Sequence, residues 1–238
     1  TAFLCRDKPA MKEVLRQAGI PTAASVGAKS PNDAWEFTQE HGYPVILKPR
    51  DGAGAAGTYK CTSDQELQRA IAESGLAGGR SVAIEEFIEG HEGFYDTITI
   101  NGRVVHEFAT HYYPNVLEAM RTRWISPQFI TTNRIDTAEG YSEVKEMGRK
   151  VIEELGIGTS ATHMEWFYGP KGLKFAEIGC RPPGVRCWDL YAHANEMDIY
   201  VEWAMAIVHG KSVQHASRRY AAGIVALRAD RDGVIDRY

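Results

Sequence analysis

Glu165 lies in the run His163-Met164-Glu165-Trp166-Phe167, twelve positions before Glu177 in Phe175-Ala176-Glu177-Ile178-Gly179-Cys180-Arg181. Both runs read as short strands, and Tyr168-Gly169-Pro170-Lys171-Gly172 between them reads as a turn. An antiparallel pair built this way can bring the two carboxylates together. Adjacent carboxylates are costly unless a proton or a cation lies between them. A hard dication held by oxygen ligands beside a phosphate chain is one solution. Taken alone, the pair also reads as two exposed charges on a solvated hairpin.

Upstream, Pro44-Val45-Ile46-Leu47-Lys48 is an apolar, β-branched strand that runs into Asp51-Gly52-Ala53-Gly54-Ala55-Ala56-Gly57. With little side-chain bulk, the backbone amides of such a loop can approach phosphate oxygens. It matches neither GxxxxGK[ST] nor GxGxxG at a helix start, and a flexible hairpin turn is its plainer account. Lys48 supplies a point positive charge suited to phosphate oxygens; Lys8 alone reads as a solvated helix residue. The segment Ile84-Glu85-Glu86-Phe87-Ile88-Glu89-Gly90-His91-Glu92 is an acidic cluster where an apolar strand exits into a turn. Backbone groups there are free to pair with an adenine edge, and a carboxylate a few residues on can accept from ribose hydroxyls. An edge strand with protective charges is the competing account.

These residues need a framework. The 238 residues suffice for one large or two small domains with real cores, and 44% hydrophobic and 24% charged content is ordinary for a globular protein. A formal charge of -4 argues against a nucleic-acid partner. Cys5, Cys61, Cys180 and Cys187 form no CxxC pair and no zinc-type spacing, as expected of a reduced, cytoplasmic protein. No apolar run approaches membrane-spanning length and no signal pattern opens the chain. Both ends read as cut, as in a fragment of a longer polypeptide.

Apolar spacing predicts helices over Lys8 to Ala18, Asn32 to His41 and Tyr141 to Leu155, and Ser63-Asp64-Gln65-Glu66 predicts a capping box opening a further helix through Ala72. Strands are expected over Thr58 to Thr62, Ser81 to Ile88 and Tyr220 to Arg228. Gly93 to Ile100 and Arg103 to Tyr112 are expected to pair through Asn101-Gly102, a strong hairpin signal. Tyr113 to Thr137 is expected as a long irregular segment, and the stretch up to His209 as mainly helical.

In order, Lys8, Pro44 to Pro49 with the glycine loop, Glu85 to Glu92, His163 to Trp166 and Glu177-Ile178-Gly179-Cys180-Arg181-Pro182-Pro183-Gly184 resemble the ATP-grasp superfamily. The nearest members are its carbamoyl-phosphate synthase, biotin carboxylase and L-amino-acid ligase branches. The resemblance covers nearly the whole chain. It implies an α+β protein in which two α+β subdomains clasp ATP, without the preceding Rossmann-like domain. Residues 1–24 would be a lead-in helix from that missing domain, 25–90 the small lid subdomain, and 91–238 the large subdomain, cut at its end.

Residue by residue, the resemblance implies that Lys8 and Lys48 touch ATP phosphates and that Gly52, Gly54 and Gly57 belong to the lid. Glu85, Glu86 and Ile88 would bind adenine, the last two through backbone atoms. Glu92 would bind the ribose, and Phe167 would pack on the adenine ring. Glu165 and Glu177 would hold Mg2+ (or Mn2+), and Arg181 would stand by the γ-phosphate and the acceptor carboxylate. The implied reaction activates a carboxylate, such as an amino acid, as an acyl phosphate for attack by an amine. The alternatives are a carbamoyl-phosphate-synthase-like enzyme using bicarbonate or carbamate, and a nucleotide-binding module without turnover. Small-molecule carboxylate and amine substrates are the expected partners, with no nucleic acid or membrane, and a homodimer is allowed.

Two positions depart from the pattern. Gly179 stands where the family commonly has an Asn metal ligand, and Arg181-Pro182-Pro183-Gly184 lacks the Gln-Val-Glu of biotin carboxylases. Arg186 is expected either to clamp a carboxylate or to cap the following helix. Arg121 and Arg123 are expected to be solvated, His111 and His163 to be structural, and Cys180, Trp188, Trp203 and Met205 to pack.

Overall fold

The computed structural model describes residues 1–50, 57–229 and 231–234, and the folding of the chain is organised by two antiparallel sheets. The first contains β1 (Ser25–Ala28), β2 (Val45–Pro49), β3 (Tyr59–Cys61) and β4 (Val82–Glu86) in the order β1-β4-β2-β3. Helices α2 (Pro31–His41) and α3 (Asp64–Glu73) cover it, burying Ala34, Phe37, Leu67, Ala70 and Ile71 against Val45, Leu47 and Ile84. The start of α2 is a reciprocal capping box, Ser30 with Asp33. The box expected at Ser63 is only half formed. Ser63 accepts from the Glu66 N–H, but the Glu66 carboxylate takes the backbone N–H and hydroxyl of Thr62 instead.

The second sheet has the order β10-β7-β6-β5-β8-β9, where β5 is His91–Ile100, β6 Arg103–Tyr113, β7 Gln128–Thr131, β8 Ser160–Gly169, β9 Gly172–Gly179 and β10 Ala222–Val225. The β5–β6 turn is Asn101-Gly102 with both φ positive, 51° and 81°, as a two-residue hairpin requires. One face packs on α5 (Gly140–Glu154) and on α1 (Lys8–Gln17), through Met11, Leu15, Tyr95, Val151, Trp166 and Phe175. The other packs on α6 (Cys187–Asn195) and α7 (Ile199–His209), through Phe94, Phe108, Trp188 and Tyr191.

The segment expected to be irregular holds two short elements, α4 (Val116–Arg121) and β7. Each is held by partners distant in sequence. The Val116 N–H donates to Glu92 at 2.7 Å, and β7 is paired on both sides, by β6 and β10. Helix α1 bridges the sheets. Its N-cap Asp7 receives two hydrogen bonds from Arg50, at 2.8 and 2.9 Å, while the chain after it pairs with β9 through the Phe175 N–H to the Pro21 carbonyl. Among the described residues no helix is long and apolar enough to cross a membrane.

Candidate active site

Strands β8 and β9 place Glu165 directly opposite Glu177. Side chains alternate along a strand, so Leu173, Phe175 and residue 177 would ordinarily share a face. An extra residue, Ala176, interrupts the ladder where Glu165↔Glu177 gives way to Trp166↔Phe175. That bulge lets Leu173, Phe175 and Ile178 all enter the α1/α5 core while Glu177 turns to the opposite side with Glu165. The cleft on that side, about 470 Å3, is lined from both sheets.

From the first sheet come Lys48 on β2 and Glu85 on β4, and α1 adds Lys8 and Lys12. Glu85 Oε2 lies 2.9 Å from Lys48 Nζ and 2.8 Å from Lys12 Nζ, and Lys8 Nζ lies 3.5 Å from Glu177. Glu85 Oε1 is buried with no hydrogen-bond partner among the described residues. Burial would raise the Glu85 carboxyl, but the two lysines outweigh it and hold its pKa far below the usual range. Burial and Glu85 oppose each other at Lys12 too; there burial wins, and the pKa falls. At Lys48, Glu85 and Glu177 overcome the cost of burial and raise the pKa.

The three carboxylates that the second sheet gives to the cleft do not behave alike. Glu177 is raised by burial and then by the charge of Glu165. Glu92 is raised to about 8, again by burial first and Glu165 second, although it accepts from Val116 N–H. Glu165 is lowered: burial is the largest influence on it, but the hydrogen bond and charge of His163, with Lys48 and Arg181, exceed it. His163 Nε2 is 3.5 Å from Glu165 Oε1 and its Nδ1 is 2.7 Å from Asp96 Oδ1, which together raise the imidazole to about 10 against the effect of burial. Negative charge is thus crowded at Glu177, where burial and Glu165 outweigh the nearby Lys48 and Lys8.

Among the described residues, no group of three or more His, Cys, Asp or Glu side chains is arranged to hold a metal by itself. The facing Glu165/Glu177 pair could supply two oxygen donors to a small hard dication that keeps several waters and takes oxygens from a phosphate chain. Gly179 adds no ligand. A Cβ there would meet the Arg181 side chain at 3.4 Å.

Of the residues expected from sequence, Lys8, Lys48, Glu85, Glu86, Ile88, Glu92, Glu165, Phe167 and Glu177 line this one cleft. Arg181 does not line it. It is exposed, donates to the Pro182 carbonyl at 2.8 Å, and acts on Glu165 only through its charge. Gly57 is also outside the lining, against Pro49, and Gly52 and Gly54 lie outside the described residues. Glu86 pairs its carboxylate with Lys171 and gives its N–H to the Ala24 carbonyl.

Residues not singled out are Lys12, Lys60, Phe87, Ala176 and the α4 group with Val116; Arg121, expected to be solvated, also lines the cleft. Lys12 had a signal, since it follows Lys8 by one helical turn. The position of α4 had none. Arg186 pairs with Asp189 at 2.6 Å, and Arg123 pairs with Asp232.

Residues 13–196 match the family model of the ATP-grasp domain. D-alanine–D-alanine ligase B of Clostridium perfringens is 37% identical over 206 residues, 82% of this chain and 64% of that protein. An L-arginine-specific L-amino acid ligase of Bacillus subtilis is 28% identical over 190 residues, 77% of this chain and 45% of that protein. The chain therefore spans roughly half to two thirds of the length of these relatives. Among solved structures, the biotin carboxylase domain of Hydrogenobacter thermophilus 2-oxoglutarate carboxylase, in complex with MgADP, ADP and bicarbonate, superposes with a TM-score of 0.67 at 27% identity. It covers 92% of this chain and 49% of that one. An L-amino acid ligase from Bacillus licheniformis superposes with a TM-score of 0.69 at 17% identity over 92% of this chain and 52% of that one, a likeness of fold. On these matches and this fold, the chain belongs to the ATP-grasp family.

Proposed function

We propose that the protein is an ATP- and magnesium-dependent ligase that joins a carboxylic acid, of amino-acid type, to an amine. The observation that carries this reading is the facing Glu165/Glu177 pair with Lys48 and Lys8 in the same cleft. Phosphoryl transfer asks a protein for alignment and charge neutralisation more than for covalent help. Glu165 and Glu177 would hold Mg2+, or Mn2+ in its place, and the ion when bound neutralises phosphate charge. Lys48 and Lys8 would then leave their carboxylate partners for phosphate oxygens. Glu85 Oε1, a buried acceptor without a partner among the described residues, suits the adenine amino group, as does the carbonyl of Glu86, whose N–H is already used. Ile88 would contribute its backbone, Phe167 the ring contact, and Glu92 its second oxygen to the ribose.

In the first step the acceptor carboxylate oxygen attacks the γ-phosphorus and ADP leaves, forming an acyl phosphate. In the second the amine attacks the acyl carbon, loses a proton, and expels inorganic phosphate. Arg181 would enter only with bound substrate, and the glycine-rich stretch of sequence with Gly52, Gly54 and Gly57 would serve to keep water from the acyl phosphate. A cytoplasmic location with small-molecule partners follows from this chemistry, and self-association as a homodimer is compatible with it.

Phosphate release from ATP, measured in the full-length protein over a matrix of carboxylates and amines, tests the reading. Release that requires both substrates is the expected result. Release driven by bicarbonate alone supports the carbamoyl-phosphate-synthase-like reaction instead, and tight ATP binding without release under every mixture supports a silent nucleotide-binding module.

A further inference from the structure

His163 is buried on β8, two residues before Glu165 and on the same face. Its Nδ1 meets Asp96 Oδ1 at 2.7 Å, and the other Asp96 oxygen accepts the hydroxyl of Tyr191. Tyr191 is fully buried on α6, stacked on Phe108 with centroids 4.3 Å apart and planes 7° from parallel, and also receives the Thr110 hydroxyl at 3.2 Å. The Phe94 ring meets the imidazole edge-on at 5.0 Å. The imidazole is thereby fixed in both tilt and position, and its Nε2 faces Glu165 Oε1 at 3.5 Å. A histidine satisfied only for folding would end its contacts at Asp96. This one extends the chain to a carboxylate that itself points into the cleft.

We propose that His163 is a positioning residue, held by Asp96 and Tyr191, that aims the Glu165 carboxylate at the cation shared with Glu177. The inference rests on the cation reading of that pair. A carboxylate on a strand can swing between rotamers, and Glu165 has every electrostatic reason to swing away from Glu177 directly opposite. A donor behind one oxygen opposes that motion, as partners behind metal ligands generally do. The anchor also has a consequence for the acceptor side: α6, which carries Tyr191, begins directly after the loop holding Arg181 and Arg186. The metal ligand and the acceptor loop thus share one buried support.

The test is ADP binding by calorimetry in the full-length protein, with and without MgCl2. In the wild type magnesium should tighten ADP binding. His163→Asn keeps a donor near Asp96 but leaves Glu165 unsupported, and should remove about 10- to 100-fold of that magnesium-dependent gain with magnesium-free binding unchanged. His163→Gln, whose amide reaches the Nε2 position, should recover part of it. Should His163→Asn melt below the assay temperature, Asp96→Asn and Tyr191→Phe, which loosen the anchor by one hydrogen bond each, should show a smaller loss of the same kind. Full magnesium enhancement in every folded variant would overturn the proposal. Absence of enhancement in the wild type, or its survival in Glu177→Gln, would overturn the cation reading itself.

Discussion

Glu165 and Glu177 face each other across one strand pair, yet their carboxyls shift in opposite directions. The difference is local support: Glu165 has His163 behind it, whereas Glu177 has burial and the charge of Glu165 against it. A cation between them relieves the residue that is worse placed. Glu177→Gln is therefore expected to cut phosphate release by more than about 100-fold, beyond the loss of an outer-shell partner, while magnesium-free ADP binding holds. Unchanged turnover in that variant would remove Glu177 from the metal site. At this scale much was legible in the linear chain, because strand, turn and strand are marked by residue type. The bulge at Ala176 was not. It answers to the core, where Leu173, Phe175 and Ile178 must share one face, and no local pattern announces it. Arg181 is the opposite case: its motif is plain, but its side chain does not line the cleft.

At the scale of elements, the cleft depends on how closely β5, β6 and β8 pack on their reverse face. Gly93 lies opposite Trp166, and a Cβ at Gly93 would come within 2.3 Å of the indole and 2.8 Å of the Thr110 carbonyl. Gly93→Ala should cost about 1–3 kcal/mol through overpacking, read as a lower denaturation midpoint. A midpoint equal to wild type would mean the indole has another place to go. On the same face, His111 bonds His91 at 2.8 Å and Tyr141 at 2.7 Å, beside Tyr113 and Trp166. Burial first, then the charges of His91 and Arg134, depress His111 to about 4. A depressed histidine is neutral in the folded state while the unfolded chain takes up a proton near pH 6.5. Its contribution to stability is therefore complete above pH 6.5 and is lost as pH falls from there toward 4. Thermal scans of the wild type should show that loss, and His111→Phe should flatten it; parallel curves would clear His111 of the effect. The hairpin at Asn101-Gly102 and helices α1, α2 and α5 follow from local periodicity and turn chemistry. By contrast, α4 and β7 are short and exist through Glu92, β6 and β10, so their own residues carry little sign of them.

At the scale of the molecule, two separately cored sheets supply one site. Lys48 and Glu85 belong to the first sheet, and Glu92, Glu165 and Glu177 to the second; α1 joins them through Lys8, Lys12 and the Asp7–Arg50 pair. The order of motifs along the chain made both halves readable. Their approach was not, because it depends on ion pairs such as Lys8–Glu177 that span 169 positions of sequence. A nucleotide bound across the cleft must stabilise both sheets, since each contributes side chains to the lining. At a concentration 100 times its dissociation constant, ADP with magnesium should stabilise the folded protein by about 2.7 kcal/mol. Amide hydrogen exchange should locate that gain, with slower exchange in β2 and β4 as well as in β8 and β9. Protection confined to the first sheet would mean that the nucleotide is held without the glutamate pair, and the metal assignment would fall with it. Protection of both in wild type, reduced to the first sheet alone in Glu177→Gln, would tie the closure of the two halves to that carboxylate.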